Sequence, residues 1–349
     1  MNVCLHVLLP GPPDTPTGGF VYDRWVLHAL RRAGRLASLI VVPGAWPEPS
    51  VPTVSAAERA VASLPEGAAL LIDGLAFSPL LEVFEAASRR LSLVVLVHHP
   101  LADETGLTKD ARDRLFERER RALALALIQG VIVTSATTAH RLSDFAVPSE
   151  RVRVVRPGVD LSRMGGLGTR RRPAEVPTLL CVAALTPRKG QDVLLRALGE
   201  LRCLRWQLRL VGPPRDRAFA GRLRRLARAL GLQRRVALVG PVTPTQLPSE
   251  YRNADLFVLP SHYEGYGIVV AEAAAYGLPI VASDAGAIAE AATGSRHSLV
   301  PPGNPRSLAR ALRPHLVSRR PRSHRPTQGR SWNDVGRDLL SAIDDLCLR

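Results

Sequence analysis

In the stretch SHYEGYGIVVAEAAAYGLPIV, residues 261–281, Glu264 and Glu272 stand eight positions apart, with Gly265 and Gly267 beside the first. Eight helical residues rise about 12 Å, at about 1.5 Å each. The carboxylates of a glycosidase sit about 5–9.5 Å apart across a single bond. The spacing therefore points to two separate tasks at two ends of one long ligand. Glycines at a helix start let backbone N–H groups approach a ligand closely, and the helix dipole favours negative charge there. That combination describes a diphosphate site. A second ingredient is TPRKGQDVLL, residues 186–195, where Arg188 and Lys189 follow a strand at the mouth of another helix. Cations so placed suit a diphosphate that must leave as an anion. Taken singly, Glu272 amid AEAAA reads equally well as a surface charge, and Glu264 as a helix N-terminal charge.

Positioning these residues is a matter of alternating elements. Apolar runs suggest strands at Val3–Leu9, Ala37–Val42, Ala69–Ile72, Leu93–Val97, Val131–Thr134 and Val152–Val155. Helical patterns lie between them at Phe20–Ala33, Leu80–Arg89, Thr108–Leu127 and Ala136–Phe145. The alternation restarts with strands Thr178–Val182, Gln207–Val211, Val236–Val239, Leu256–Leu259 and Ile280–Ala282. Its helices fall near Gln191–Leu201, Arg217–Leu230, Pro244–Arg252 and Ile268–Tyr276. Continuously apolar strands, each followed by a helix, indicate parallel sheets covered on both faces. The class is α/β, with two Rossmann-like doubly wound domains expected to face a cleft at the carboxyl ends of their strands. The boundaries expected are 1–157 for the first domain, 158–176 for a linker and 177–330 for the second. A final helix within 331–349 is placed to pack back on the first domain, after the basic, turn-rich stretch Ser318–Arg330.

The chain has 349 residues and a net charge of +16, yet only Lys109 and Lys189 are lysine. Aromatic content is 5%, and no aromatic–basic interleaving appears, so sequence-reading of nucleic acid is not expected. The arginines of Ala218–Arg235 read as the solvated side of an amphipathic helix. Cys4, Cys181, Cys203 and Cys347 are scattered in apolar surroundings and read as buried thiols. No histidine or aspartate cluster with metal-ligand spacing is evident, so no metal is expected. No run approaches the about 18–20 apolar residues of a membrane span. MNVCLHVLLPGPP lacks the basic start and cleavage site of a signal peptide and reads as a first strand. The location expected is the cytoplasm, and the basic charge permits peripheral contact with the anionic inner face of a membrane.

SHYEGYGIVVAEAAAYGLPIVASDAGAIAE resembles the E-x7-E signature of retaining, nucleotide-sugar-dependent glycosyltransferases of family four, the "glycosyl transferases group 1" type, with the GT-B fold. The likeness runs along most of the chain. PTGGFVYDRWVLHALRRAG resembles the family's glycine loop and first helix, and RVRVVRPGVD its strand end before the linker. VAALTPRKGQDVLLRAL resembles the start of its donor domain, and VPPGNPRSLARAL with SWNDVGRDLL its C-terminal region. The resemblance implies that Glu272 binds the ribose diol of the donor nucleotide. It makes Glu264 the partner of a sugar hydroxyl beside a developing oxocarbenium ion. Backbone N–H groups of Gly265, Tyr266, Gly267 and Ile268 would contact donor sugar and diphosphate. Lys189 and Arg188 would stabilise the departing diphosphate without a metal, and Gly18 and Gly19 would approach the same phosphates. In LVVLVHHPLADETGL, His98 aligns best with the histidine that the family often places near the sugar hydroxyls or the acceptor. His99 and Asp73 are further candidates for sugar or acceptor contact.

One departure is clear. Many relatives carry an arginine in a G-R-L pattern after the first donor-domain strand, where this chain has Ala183-Ala184-Leu185. Arg188 is the nearby cation able to replace it. The leading expectation is an enzyme moving a hexose from a nucleotide diphosphate sugar to a sugar, lipid-linked or small-metabolite hydroxyl. The alternatives are a non-catalytic nucleotide-sugar-binding protein and a sugar-nucleotide epimerase of the same fold. Donor turnover with and without acceptor separates the three.

Overall fold

The computed structural model describes residues 3–125, 128–160, 176–317 and 329–347. The expected linker falls largely outside them, as do most of Ser318–Arg330 and Leu127 at the end of an expected helix. Two compact units are present. The first comprises Met1–Pro157 with Trp332–Arg349, and the second Gly158–Ser331.

The first unit is built on β1 Leu5–Leu9, β2 Leu36–Val41, β3 Ala69–Asp73, β4 Ser92–Val97, β5 Ile128–Val133 and β6 Val152–Val154. They form one parallel sheet in the order β2-β1-β3-β4-β5-β6. The central strands are buried along their length, β3 at every position, which is why they read as apolar runs. The helix Gly18–Arg32 follows β1, capped by Thr17, whose side chain accepts from Phe20 N. The closing helix Trp332–Cys347 lies on it. Trp332 stacks on Trp25 with ring centroids 5.2 Å apart, and Arg35 forms a two-pronged ion pair with Asp344.

The second unit uses β7 Thr178–Val182, β8 Gln207–Val211, β9 Val236–Gly240, β10 Leu256–Leu259, β11 Ile280–Ser283 and β12 His297–Val300. Its sheet is again parallel, in the order β12-β11-β10-β7-β8-β9. The helix Arg217–Ala229 buries Phe219, Ala220, Leu223 and Ala227 and leaves Arg222, Arg224, Arg225 and Arg228 exposed.

Among the elements not anticipated are the helices Val51–Ala62 and Pro305–Val317, the short helices Gly74–Phe77 and Ile288–Ala291, and the strand β12. β12 is an edge strand with His297 and Ser298 exposed, so it carries no continuous apolar run. The helix placed at Pro244–Arg252 begins only at Leu247, because Thr243 and Gln246 form a hydrogen-bonded turn ahead of it. The cysteines also need correction. Cys181 is buried, but Cys4 and Cys203 are exposed and Cys347 is intermediate.

Candidate active site

Sheet order brings the first group of residues together. β10 pairs with β7, so the loops leaving these two neighbouring strands meet at one end of the sheet. The loop after β7 makes a turn at Pro187–Lys189 and starts the helix Gln191–Glu200. The loop after β10 carries Ser261–Gly267 into the helix Ile268–Ala275. They are stitched by His262 N donating to the Arg188 carbonyl at 2.8 Å and by the Arg188 guanidinium donating to the Tyr263 carbonyl at 3.0 Å.

Glu264 sits at the centre of this junction and is only 6% exposed. Its Oε1 accepts from Lys189 Nζ and from Ser261 Oγ, each at 2.6 Å, and Arg188 Nη1 stands 3.8 Å from Oε2. Burial alone would raise the Glu264 pKa, but the charges of Lys189 and Arg188 and the two hydrogen bonds hold it below the ordinary glutamate value. Burial lowers the Lys189 pKa, and the Glu264 charge works against that. Lys189 is thus engaged by Glu264 through one hydrogen bond, of the three that its ammonium group can donate.

Gly267 caps the helix Ile268–Ala275 in the left-handed region, at φ 92°. The N–H groups of the first turn, beginning at Ile268, stand in the usual place for an anion. Gly265, Tyr266 and Ile268 are half-buried beside it. Glu272, one turn on, accepts from Tyr251 Oη at 2.6 Å, and Tyr251 stacks on Tyr276 at 5.1 Å. Ala184 receives the Gln191 side chain, whose Nε2 donates to the Ala184 carbonyl at 2.9 Å.

The first unit holds a second group, built by the same rule. Asp73 ends β3, His98 follows β4, its neighbour, and Gly19 opens the helix after β1, on the other side of β3. His98 Nε2 lies 3.1 Å from Asp23 Oδ1 and 3.5 Å from Asp73 Oδ2. A Cβ added at Gly19 would stand 3.2 Å from the His98 ring, while one at Gly18 would meet nothing within 4 Å. His99 Nε2 lies 3.6 Å from Glu104 Oε2, on a different partner. Asp23 escaped the sequence reading: inside VYDRW it looks like a solvent-facing helix charge. The view that no aspartate–histidine cluster forms is therefore corrected. Asp23, Asp73 and His98 each offer a ligand atom, all within 4.8 Å of one another.

Residues 176–316 match the family described as Glycosyl transferases group 1, and residues 24–163 match Glycosyltransferase Family 4. D-inositol 3-phosphate glycosyltransferase 2 of Catenulispora acidiphila is 40% identical over 177 residues, covering 46% of this chain and 42% of the relative. The GDP-mannose-dependent alpha-(1-6)-phosphatidylinositol monomannoside mannosyltransferase of Mycobacterium tuberculosis is 32% identical over 222 residues, 58% of this chain and 56% of the relative. The chain spans about half the length of the curated relatives it matches. Among solved structures, sucrose-phosphate synthase from Thermosynechococcus elongatus superposes with a TM-score of 0.72 at 21% identity, over 99% of this chain and 96% of that one. Anabaena HepE in complex with UDP and glucose superposes with a TM-score of 0.71 at 18% identity, over 98% and 99%. Two parallel six-stranded sheets, one matched region on each, show that the chain carries both the Family 4 and the group 1 glycosyltransferase domains in a GT-B fold.

Proposed function

We propose that the chain is a retaining glycosyltransferase that moves a hexose from a nucleotide diphosphate sugar to a hydroxyl acceptor without a metal ion. The observation that carries this reading is the pair of Lys189 with the buried Glu264, flanked by Ser261 and Arg188, at the N-terminus of the glycine-capped helix Ile268–Ala275. In this reading the helix start, Lys189 and Arg188 receive the diphosphate, and Glu272 takes the ribose diol beside Tyr251. Glu264 holds a sugar hydroxyl, and its negative charge favours the positive charge that develops at C1 as the C1–oxygen bond to phosphate breaks. The acceptor oxygen then bonds to C1 on the face the diphosphate leaves, and a phosphate oxygen takes the acceptor's proton. Residues 177–330 form the donor-binding part; residues 1–157 with 331–349 form the acceptor side, with His98 and the further candidates His99 and Asp73, while Gly18 and Gly19 are candidates for the donor phosphates.

Nucleotide sugars are supported as donors by the names of relatives: one is GDP-mannose-dependent, and HepE has been solved with UDP-glucose. A sugar, a small metabolite or a lipid-linked sugar fits as acceptor. The phosphatidylinositol monomannoside of the mycobacterial relative's name supports the lipid case. No described helix is long and apolar enough to cross a membrane. The exposed arginines of Arg217–Ala229 supply charge for peripheral contact with an anionic membrane face, and nucleic acid is not among the expected partners.

A second reading, nucleotide-sugar binding without transfer, draws on Ala184 in the usual arginine position and on Lys189 being engaged by Glu264. Epimerisation of the donor is the third. A thermal-shift panel of GDP- and UDP-sugars identifies the donor, because a ligand that binds the native state raises its stability. Turnover is then followed by proton NMR with and without acceptor, and with and without EDTA. The expected product keeps the donor's anomeric configuration and forms in EDTA. Stabilisation without turnover supports the binding protein, and acceptor-independent isomerisation the epimerase. An inverted linkage, or activity lost in EDTA and restored by Mg²⁺, overturns the proposed mechanism.

A further inference from the structure

Two buried carboxylates converge on one ring nitrogen in the first unit. Asp23 is 1% and Asp73 4% exposed, and both face His98 Nε2, at 3.1 and 3.5 Å. The side chain of His98 keeps 18% of its surface. Each neighbour is fixed in turn. Asp73 Oδ1 accepts from Leu75 N at 2.7 Å and caps the short helix Gly74–Phe77. Tyr22, the residue before Asp23, meets the imidazole edge-on at 5.6 Å and donates its hydroxyl to the Val155 carbonyl at 2.8 Å. From the β5 side, Thr134 Oγ1 donates to the His98 carbonyl at 3.2 Å. Asp23 Oδ2 is buried and has no hydrogen-bond partner. A carboxylate in that position is costly unless positive charge or a proton lies beside it. A nitrogen facing two carboxylates bears hydrogen, so the geometry fixes Nε2 as an N–H. The other ring nitrogen, Nδ1, has no partner among the described residues.

We propose that Asp23 is a positioning residue which, with Asp73, holds His98 by its Nε2–H and leaves Nδ1 to hydrogen-bond a hydroxyl of the sugar or the acceptor. Its consequence for catalysis rests on the glycosyltransferase reading above, but the arrangement itself is testable without substrate. Burial alone would lower the His98 pKa; the Asp23 charge and the hydrogen bonds to both aspartates push it up to about 10. Burial in turn raises the pKa of Asp23 to about 7, so the buried pair shares its protons. With both ring nitrogens protonated, Nδ1 donates to the hydroxyl oxygen, which is the role the proposal gives His98. The titratable groups facing the ring are Asp23 and Tyr22 from the helix Gly18–Arg32 and Asp73 from β3, while the adjacent His99 is turned to Glu104.

The test starts with nitrogen-15 NMR titration of the His98 imidazole in the full chain without ligand. In the wild type His98 should stay doubly protonated well above pH 7; titration near the ordinary value of about 6.5 would overturn the proposal. In Asp23→Asn the titration should move down by more than one unit. At an assay pH about one unit above the variant's own titration, only about a tenth of His98 stays charged and its kcat should fall about tenfold. The deficit should shrink at acid pH, which a merely structural defect would not produce. Since the three atoms are also close enough to share a divalent cation, Zn²⁺ and Mn²⁺ are titrated in parallel. Stoichiometric binding that Asp23→Asn abolishes would overturn the proposal in favour of a metal site. Wild-type protein with the expected His98 titration but no transfer activity supports the Asp23 assignment and sinks the glycosyltransferase reading instead.

Discussion

Glu264 is buried and the Lys189 side chain is only 16% exposed, and each is tolerable only because the other is there. Removing one partner of a buried ion pair strands the other, at a cost of about 3–5 kcal/mol. Lys189→Met should therefore lower the urea midpoint markedly, besides reducing turnover by about 10²–10³-fold as for loss of a preorganised donor. Lys189→Met combined with Glu264→Gln should recover much of that stability and none of the turnover. Equal stability of the single and double variants would show that the pair is not coupled. Glu119 offers a pH test. Its carboxylate is buried and accepts from Leu101 N at 2.8 Å and Ala102 N at 2.9 Å, just beyond His98 and His99. Burial raises its pKa to about 7, although the two N–H groups pull it down. The native chain thus holds a proton there that the unfolded chain releases near pH 4.3. Stability from this group is full below that value and falls as pH rises through about 7. Denaturation of wild type and Glu119→Gln at pH 5 and pH 7.5 should show a smaller pH difference in the variant; an unchanged difference would rule the group out.

At the scale of elements, the loop leaving β10 is packed too closely against the loops leaving β7 and β11 for side chains at two glycines. Gly190, at φ 63°, has no room for a Cβ because the Pro260 carbonyl oxygen occupies it, and Gly286, at φ 60°, is blocked likewise by the Glu264 carbonyl. Backbone strain and steric exclusion act together at both positions. Gly190→Ala should cost more than about 1 kcal/mol and should displace Arg188 and Lys189 from Glu264. Denaturation and donor affinity should fall together in this variant. Wild-type donor affinity at reduced stability would mean that the turn does not position the site. Glu272 is a different case, because its partner Tyr251 lies in the helix Leu247–Asn253, away from the diphosphate position. Glu272→Ala should weaken donor binding by about 1.5–3 kcal/mol, the worth of a charge-assisted hydrogen bond. Donor affinity within twofold of wild type would sink the ribose assignment.

For the molecule as a whole, the chain leaves the first unit at Pro157 and returns to it at Trp332. The returning helix places Trp332 against Trp25 and Tyr22, and buries Leu339, Ile343 and Leu346. Gly336 lets it approach Ala29, and Gly130 on β5 leaves space for Leu346. Trp332→Ala should cost about 3–5 kcal/mol, as for other buried aromatic truncations. In calorimetry the loss should fall on the transition of the first unit, and a nucleotide-sugar ligand of the second should still raise the other transition. A uniform shift of a single transition would mean that the units unfold as one. Tyr22 touches both Trp332 and His98, so this variant should also alter the His98 titration.

Local sequence by itself determined the repeating strand–helix plan, because strands covered on both faces must be apolar throughout. Thr178–Val182, Gln207–Val211 and Leu256–Leu259 have the bounds expected of them for that reason. It also marked the glycine-capped helix start and the Arg188–Lys189 turn, whose backbone needs are local. The half-exposed β12 and the helix Val51–Ala62, with its Pro at the first turn, lack such a signal. Only tertiary structure decided which residues meet. Lys189 and Glu264 are 75 positions apart, as are Asp23 and His98. The first pair meets because β7 lies beside β10, and the second because β3, whose end holds Asp73, lies between β1 and β4. Strand order is set by the packing of whole βα units, so no local pattern in VYDRW distinguishes a buried aspartate from a solvated one.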